Sequence, residues 1–165
     1  MVRAAAETRL VIEREEHVMF SIDAIMSTDL ITVSPTASLE DVRRLMHVNR
    51  IHHLPVVNED GELVGLVTLT NVLAATDSIL RDADSRLHAE GVRVRDIMVT
   101  DIATIDEHAS LRQAALFIEK HKIGCLPIVT NGELRGIITD TDFVGVAINL
   151  LEMLEDSEPL DEDAA

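Results

Sequence analysis

Two short segments of this chain carry the same pattern, a glycine, two apolar residues and a threonine, followed three residues later by an amide or an acid. The pairs are Thr68 with Asn71 and Thr139 with Asp142. If a strand passes into a helix at each threonine, its hydroxyl and the first helical amides can bind an anion. The later side chain could then accept hydrogen bonds from vicinal hydroxyls such as those of a ribose. The alternative is plain helix capping, the commonest role of these residue types at a helix start.

Both segments belong to a longer internal repeat, in which residues 25–71 recur in divergent form at residues 97–142. The offset is 72 positions as far as Pro55 and Pro127, and 71 positions from Gly61 and Gly132 onward. One residue was therefore lost from the turn before Gly132, where the chain tolerates a deletion, because a slip inside a strand would turn every side chain to the other face. A duplicated unit predicts a duplicated site.

Each repeat is predicted to fold as β-α-β-β-α. The predicted elements of the first repeat are a strand at 30–33, a helix from Ser38 capped with the help of Asp41, two strands at 54–57 and 63–67 joined by a tight turn at 58–61, and a helix from Thr68 or Thr70 towards Leu80. The second repeat keeps the cap as Ser110 with Gln113, shortens the turn to 130–132, and places its last helix at 143 to about 154.

Composition limits the partners. With 14 basic and 30 acidic side chains among 165 residues, the formal charge is −16, which argues against a nucleic-acid polymer or an anionic membrane as the partner. Apolar runs are too short for a spanning helix and the acidic N-terminus does not resemble a signal peptide, so we expect a cytoplasmic protein. The single cysteine, Cys125, excludes a disulfide within the chain and a thiolate zinc cluster.

The predicted organisation is an N-terminal arm or helix at 1–20, repeat one at 21–80, a linker at 81–93, repeat two at 94–154 and an acidic tail at 155–165. The tail is acid-rich and lacks aromatic residues, so we expect it to be solvated or disordered.

In order and spacing, these segments resemble the tandem cystathionine β-synthase (CBS) domain pair, or Bateman module, over about residues 22–147. The resemblance lies in Ile-Met-Ser-Thr-Asp-Leu-Ile-Thr-Val from residue 25, Ile-His-His-Leu-Pro-Val-Val from residue 51 and Gly-Leu-Val-Thr-Leu-Thr-Asn from residue 65, with counterparts from residues 96, 124 and 136. It implies an α+β fold of two repeats related by a pseudo-twofold axis and packed as one module. It also implies a regulatory role without catalysis or a catalytic cofactor.

The resemblance implies adenine nucleotide (AMP, ADP or ATP) binding in clefts between the repeats, a homodimer, and signalling to an unidentified partner protein. The family motif places phosphate at Thr139 and ribose hydroxyls at Asp142. Thr68 and Asn71 are the matching pair, but Asn71 stands where the family has aspartate, and an amide lacks the charge that strengthens such a hydrogen bond. One occupied site per chain is therefore as compatible with the sequence as two.

Further ligand contacts follow from the same resemblance. The segment from Arg50 to Pro55 is similar to the stretch of the AMP-activated protein kinase gamma subunit whose basic side chains touch phosphate, which nominates His52 and His53. Strand alternation offers the alternative that one histidine points into the core and the other into solvent. The remaining candidates are the repeat-matched cations Arg50 and Lys122 and the turn residues Thr32, Ser34, Thr104 and Asp106.

Three other functions compete with this interpretation. A metal site would draw on His47, His52, His53, His121 and Cys125, but no familiar ligand spacing supports it and we predict no metal. Catalysis would need a reactive group, and Cys125 lies in a predicted buried strand where a thiol is inert. The strongest alternative is a dimerisation or docking module with a vestigial pocket, in which the apolar residues of the last helix bind a partner.

Overall fold

The computed structural model describes residues 21–81 and 91–157. The predicted arm at 1–20, most of the linker and the end of the acidic tail lie outside the described residues. The elements, in chain order, are α1 Leu39–Asn49, β1 His53–Val57, β2 Leu63–Thr68, α2 Leu69–Arg81, α3 Val94–Ile97, α4 Leu111–His121, β3 Cys125–Thr130, β4 Glu133–Thr139 and α5 Asp140–Ser157. The α+β prediction is confirmed, whereas the domain boundaries given above stay a prediction.

The sheets are two antiparallel hairpins, β1 with β2 and β3 with β4. In the first, His53 is opposite Thr68 and Leu54 is opposite Val67. The turn that follows β1 is held by Asn58, whose side-chain oxygen accepts the amides of Asp60 and Glu62 at 3.1 and 2.8 Å. The predicted tight turn is confirmed.

The turn of the second repeat is shorter because two consecutive residues adopt the left-handed conformation. Asn131 has φ 54° and Gly132 has φ 82°. Positive φ at both central positions is the signature of the two-residue turns that match strand twist. The lost residue predicted from the repeat offset therefore lies in a turn.

The predicted strand at 30–33 was wrong, since only Val33 is paired. Its amide donates to the Pro55 carbonyl at 3.0 Å, and its carbonyl accepts the Val57 amide at 2.9 Å. Extending this parallel ladder towards Ile31 would require an N–H from Pro55, which proline lacks. The same limit applies in the second repeat, where Ile105 pairs alone around Pro127.

The last helix is longer than the sequence indicated. Helix α5 begins at Asp140, directly after β4, and continues through Ser157, into the first three residues of the predicted tail. Two acids in its first turn, Asp140 and Asp142, stabilise the positive end of the helix dipole. The start predicted from the sequence, Phe143, lies three residues after the observed start.

Both predicted N-caps are confirmed. The Ser38 hydroxyl oxygen accepts the Asp41 amide at 3.1 Å and donates to the Asp41 carboxylate at 2.7 Å. In the second repeat, the Ser110 oxygen accepts the Gln113 amide at 3.2 Å, and the Gln113 side-chain oxygen accepts the Ser110 amide at 2.9 Å. Each cap fixes the start of a helix whose apolar face is buried.

The chain divides by contact into two compact units. Of the described residues, 21–26, 108–125 and 138–157 form the first unit, and 27–81, 91–107 and 126–137 form the second. The core of the second unit is built by α1, the first hairpin, α2 and α3, with Val42, Leu54, Val67 and Val94 fully buried. Buried residues of the first unit are Ile22, Leu111, Ala114, Ile118, Cys125 and Ile138.

Within the second unit, each hairpin is bordered by the segment that leads into the other repeat. Leu66 of β2 forms an antiparallel bridge with Val99, and Ile137 of β4 forms one with Ser27. The two bridges correspond under the repeat offsets of 71 and 72 residues, so the pairing is reciprocal. Each bridge lies two residues before the threonine that ends its strand. Residues of one repeat therefore pair with the strand that leads into the last helix of the other repeat.

Candidate functional site

The two strand-to-helix junctions have nearly the same hydrogen bonds. At the first, the Asn71 side-chain oxygen accepts the Thr68 amide at 2.9 Å and the Thr68 hydroxyl at 2.7 Å. At the second, Asp142 Oδ2 accepts the Thr139 amide at 2.7 Å and the Thr139 hydroxyl at 2.9 Å. Each threonine is thus held by the residue three positions later, and the capping role that competed with ligand binding is present at both junctions.

The two junctions differ in the second polar atom of the capping side chain, which is not used in capping. A backbone N–H only donates, so the Asn71 atom that accepts the Thr68 amide must be its oxygen, and its remaining group is the NH₂ donor. Asp142 keeps a second carboxylate oxygen, Oδ1, which accepts no hydrogen bond from the part of the chain that the structure describes. The first junction therefore offers a neutral donor, and the second offers a charged acceptor.

The junctions leave little donor capacity for a phosphate. The first amide of α2, on Leu69, donates to the His52 carbonyl at 2.8 Å, and the first amide of α5, on Asp140, donates to the Gly124 carbonyl at 3.1 Å. Both threonine hydroxyl protons are already directed at their capping partners. A phosphate contact from Thr68 or Thr139 would require that hydroxyl to leave its partner.

A cavity of about 740 Å³ in the first unit is lined by Asp142. Its other lining acids are Glu152 and Asp156, and Lys and Arg are absent from its described lining, which gives a formal charge of −3. We call it the acidic cavity. Neither Glu152 nor Asp156 was predicted as a site residue, although their spacing from Asp142 along one helix places all three on the same side of α5.

A second cavity, of about 660 Å³, lies in the second unit. Its charged and titratable lining residues are Arg43, Arg44, Arg50, His47, His52 and Glu40. Three arginines and one glutamate give a formal charge of +2 with neutral histidines, in a chain whose total is −16. We call it the basic cavity.

The basic cavity brings together two residues predicted from sequence, Arg50 and His52, and three that were missed. Arg43, His47 and Arg50 recur at i, i+4 and i+7, which is the spacing of one helix face. That periodicity was the available signal for Arg43 and His47, whereas Arg44 lies outside it. His53 lies outside the lining and is half-buried in β1, whereas His52 is exposed, so the side chains of the two histidines differ as strand alternation demands.

Two of the four turn residues nominated by the resemblance, Ser34 and Asp106, have structural partners. The Ser34 and Thr36 hydroxyls are 2.9 Å apart, and the Ser34 oxygen accepts the Thr36 amide at 3.2 Å. Asp106 accepts the hydroxyl of buried Thr130 at 3.2 Å, and this bond ties the turn to the end of β3. Thr32 is half-buried and Thr104 is exposed. Their contact with a ligand stays a prediction.

Helix α1 ends in the left-handed conformation at Arg50, with φ 54°, and α4 ends in the same way at Lys122, with φ 53°. Glycine is the usual residue at such a position. Both repeats therefore keep a cation where the backbone favours glycine.

The cysteine is unsuited to chemistry. Burial and, to a smaller extent, the neighbouring Asp140 carboxylate raise the pKa of the Cys125 thiol to about 12. The thiol is therefore protonated near neutrality and is not a nucleophile. Among residues 21–81 and 91–157, no three His, Cys, Asp or Glu side chains are grouped so that they could hold a metal ion.

Comparison with known proteins identifies the family. The CBS domain model matches this chain twice, over residues 22–78 and 94–149. The chain belongs to the CBS domain family. A CBS domain-containing protein from Dictyostelium discoideum is 30% identical over 135 residues, which cover 79% of this chain and 93% of that protein.

Two solved structures support the CBS pair fold. A candidate acetoin utilization protein, AcuB from Vibrio cholerae, is 38% identical, with a TM-score of 0.71 and coverage of 86% of this chain and 99% of that chain. CBSX2 in complex with AMP is 26% identical, with a TM-score of 0.68 and coverage of 80% and 98%. The recognition of a tandem CBS pair from sequence is confirmed.

Other curated relatives are longer, and this chain spans between 20% and 45% of their length. They include enzymes such as inosine-5′-monophosphate dehydrogenase from Thermoplasma acidophilum, of which the chain covers 22%. CBS domain pairs are generally regulatory modules, and some relatives are enzymes that contain one. None of the helices within the described ranges combines the length and apolarity needed to cross a membrane.

Proposed function

We propose that this chain is a regulatory module that binds an adenine nucleotide of the AMP, ADP or ATP type and signals the bound state to a partner protein. The observation that supports the proposal most directly is that Asp142 lines the acidic cavity of about 740 Å³, and that its Oδ1 accepts no hydrogen bond from the described residues while Oδ2 accepts the Thr139 amide. A carboxylate oxygen in this position can accept a ribose hydroxyl with charge assistance. The AMP bound to the related CBSX2 supports the ligand class.

The charge of the acidic cavity predicts an order of affinity among AMP, ADP and ATP. The acidic cavity has a formal charge of −3, so each added phosphate charge is repelled by Asp142, Glu152 and Asp156. A pair of like charges about 8 Å apart costs about 0.5–1 kcal/mol at an effective dielectric of 40–80. We therefore expect affinity to fall from AMP to ADP to ATP.

The test is a titration of AMP into the full chain with ¹³C-labelled methionine methyl groups. Met153 lines the acidic cavity and Met46 lines the basic cavity, so the two methyl resonances report on separate sites. Asp142→Asn is the sharpest variant, because asparagine retains a capping oxygen, as Asn71 shows in the other repeat. Loss of a charge-assisted bond corresponds to about 1.5–3 kcal/mol, or roughly 10- to 150-fold weaker binding read at Met153.

A saturable shift of Met153 that weakens in Asp142→Asn is the expected result. An unmoved Met153 resonance across AMP, ADP and ATP would contradict the proposal. So would an affinity at Met153 that Asp142→Asn leaves unchanged.

We further propose that the module acts as a homodimer in the cytoplasm and has no catalytic activity. Dimer formation and a partner surface are both compatible with the apolar side of α5. Within Asp140–Ser157 none of the residues is buried, and the large apolar side chains of Val144, Ile148, Leu151 and Leu154 are 50–62% exposed. Contiguous apolar exposure of this kind marks interaction sites.

The same observation favours the second candidate function, a docking or dimerisation module with a vestigial pocket. The Asp142→Asn variant distinguishes the two candidate functions. A nucleotide sensor loses ligand affinity, whereas a docking module shows no ligand binding in the wild type and keeps its oligomeric state in the variant.

A further inference from the structure

The turn between β3 and β4 holds the one Asn-Gly sequence of this chain. Among the asparagines, at positions 49, 58, 71, 131 and 149, only Asn131 is followed by glycine. Asn131 and Gly132 are both exposed, and both have positive φ, at 54° and 82°. Apart from its chain neighbours, no described atom lies within 4 Å of the position that a Cβ would take on Gly132. The backbone nitrogen of Gly132 is therefore accessible, and no side chain of its own hinders a reaction there.

The counterpart of this pair in the first repeat is Asp60 and Gly61, at the offset of 71 residues. There the glycine amide is engaged, because it donates to the Asn58 carbonyl at 3.1 Å. In the second repeat, neither the Gly132 amide nor the Asn131 side chain forms a hydrogen bond with the described residues. An exposed amide without a hydrogen bond gives its proton to solvent base more readily than a bonded one. The glycine nitrogen is therefore the better nucleophile in the second repeat.

The two turns also differ in the side chain next to that nitrogen. Asn131 carries a neutral amide, whose nitrogen can leave as ammonia. Asp60 carries a carboxylate, whose negative charge repels a nucleophile. Both differences favour a reaction in the second repeat alone.

We propose that Asn131 is a site of spontaneous covalent modification, at which the folded chain converts asparagine to aspartate and isoaspartate. Solvent base removes the Gly132 amide proton, and this nitrogen bonds to Asn131 Cγ. The Cγ–Nδ2 bond breaks, and Nδ2 takes a proton from solvent and leaves as ammonia, so that a succinimide ring remains. Water then cleaves one of the two carbonyl bonds to the Gly132 nitrogen. Cleavage at Cγ gives aspartate, and cleavage at the main-chain carbonyl carbon gives isoaspartate.

No oxidant or reductant takes part, and water and base are the only co-reactants. This site goes beyond the proposed adenine nucleotide site and does not depend on it.

Isoaspartate changes the turn, because the main chain then passes through Cβ and Cγ and is one carbon longer. A two-residue turn matches the twist of its strands only with its normal length and with positive φ at both positions. The preceding residue, Thr130, holds the neighbouring loop, since its hydroxyl donates to Asp106 and accepts the Glu107 amide, both at 3.2 Å. The product also adds a negative charge to a chain of formal charge −16. We therefore expect the modified chain to unfold at a lower temperature.

The test uses the full chain, kept folded in mildly alkaline buffer and sampled over time. Trypsin cleaves after Lys122 and Arg135, and the released peptide 123–135 contains Asn131 as its only side-chain amide. Its mass rises when the amide becomes a carboxyl group, and enzymatic methylation specific for isoaspartate identifies that product. A fresh sample digested in parallel measures any conversion during digestion. We expect progressive loss of the unmodified peptide and the appearance of isoaspartate.

A matched control lies in the same digest. Peptide 51–81 contains Asn58, Asn71 and the Asp60-Gly61 turn, and it should keep its mass. Asn131→Gly removes the amide while it keeps a residue suited to positive φ, so peptide 123–135 should gain no mass on incubation.

Thermal unfolding separates the added charge from the longer main chain. Incubated wild type should unfold at a lower temperature than fresh wild type, whereas Asn131→Gly should unfold at the same temperature before and after incubation. Fresh Asn131→Asp has the charge without the extra carbon and should unfold close to fresh wild type.

A sample unfolded in urea sets the incubation time. The proposal is overturned if peptide 123–135 keeps its mass in the folded chain over the time in which the unfolded sample converts, because the turn would then protect the asparagine. It is also overturned if peptide 51–81 gains mass at the same rate.

Discussion

The two repeats of this protein are alike in their backbone, whereas the two cavities of the protein are unlike in their charge. Both start a helix with a serine cap, end that helix with a cation in the left-handed conformation, and tie a threonine to the residue three positions later. The cavity in the second unit has a formal charge of +2, and the cavity beside Asp142 has −3. The framework recurs in both repeats, whereas the two cavities, whose lining residues do not correspond under the repeat offsets, differ in charge.

The two strand-to-helix junctions also share a structural contact and differ in the atom that remains for a ligand. Asparagine and aspartate perform the same capping with one oxygen, so either residue satisfies the fold. Their second atoms are a neutral donor and a charged acceptor. The fold therefore tolerates a substitution that changes which ligand group can bind.

The largest expected effect is the loss of stability when a matched core leucine is truncated in either repeat. Leu54 and Leu126 occupy matched positions and are 0% and 1% exposed. Leu54→Ala and Leu126→Ala should each lower the free energy of unfolding by about 2–5 kcal/mol, because each removes buried apolar atoms and leaves a cavity. Urea unfolding monitored by circular dichroism measures both. Val48→Ala, at a position 71% exposed, is the control, and a tolerated leucine variant would show that the repeats differ structurally.

Much of this framework was predictable from sequence, because repeat offsets, serine caps and the Asp-Gly turn are local signals. The single paired residue at Val33 was not recognised, because it depends on the missing N–H of Pro55 across the sheet. The early start of α5 was missed because Asp140 and Asp142 are residue types found in turns as well as in first helical turns. The cavity charges were missed because they depend on which exposed face of a helix borders a cavity.

The next effect concerns the acidic cavity. Glu152→Gln combined with Asp156→Asn should improve ATP affinity relative to AMP by about 30-fold at low salt, because it removes two of the three charges that repel the two added phosphate charges, at about 0.5 kcal/mol per pair. Isothermal titration at low and high salt measures the ratio. The gain should shrink at high salt, since screening already weakens the repulsion in the wild type. An unchanged ratio at low salt would mean that the phosphates lie away from these acids.

The caps should contribute equally in the two repeats. Ser38→Ala and Ser110→Ala should each lower the free energy of unfolding by about 1 kcal/mol, the usual loss when a serine N-cap is removed. Thermal unfolding compares them directly. Ser78→Ala, at an exposed position inside α2, is the control and should have little effect on the free energy of unfolding. If Ser38→Ala or Ser110→Ala has as little effect as this control, that serine does not stabilise its helix as a cap.

The smallest expected effect is a difference between the two caps in how their contribution to stability depends on pH. Hydrogen bonds from Ser38 and from Arg44 hold the pKa of Asp41 below its ordinary value, whereas the matched residue in repeat two is Gln113, which does not titrate. A lowered pKa means that the stabilisation is present above the pKa of the unfolded chain and is lost as pH falls through the folded pKa. Asp41→Gln should therefore reduce the loss of stability in acid below about pH 4. Unfolding curves against pH test this, and parallel curves for variant and wild type would contradict it.

We expect only the second junction to recognise a ribose, because Asp142 offers a charged acceptor where Asn71 offers a neutral donor. The most direct test of this claim is the stoichiometry of adenosine binding by isothermal titration. Adenosine carries no phosphate, so phosphate contacts elsewhere on the protein do not contribute to its binding. The wild type should bind one adenosine per chain, Asp142→Asn should bind at least tenfold more weakly, and Asn71→Asp should gain a second site. Two equal sites in the wild type, or an Asp142→Asn variant that binds like the wild type, would contradict the claim.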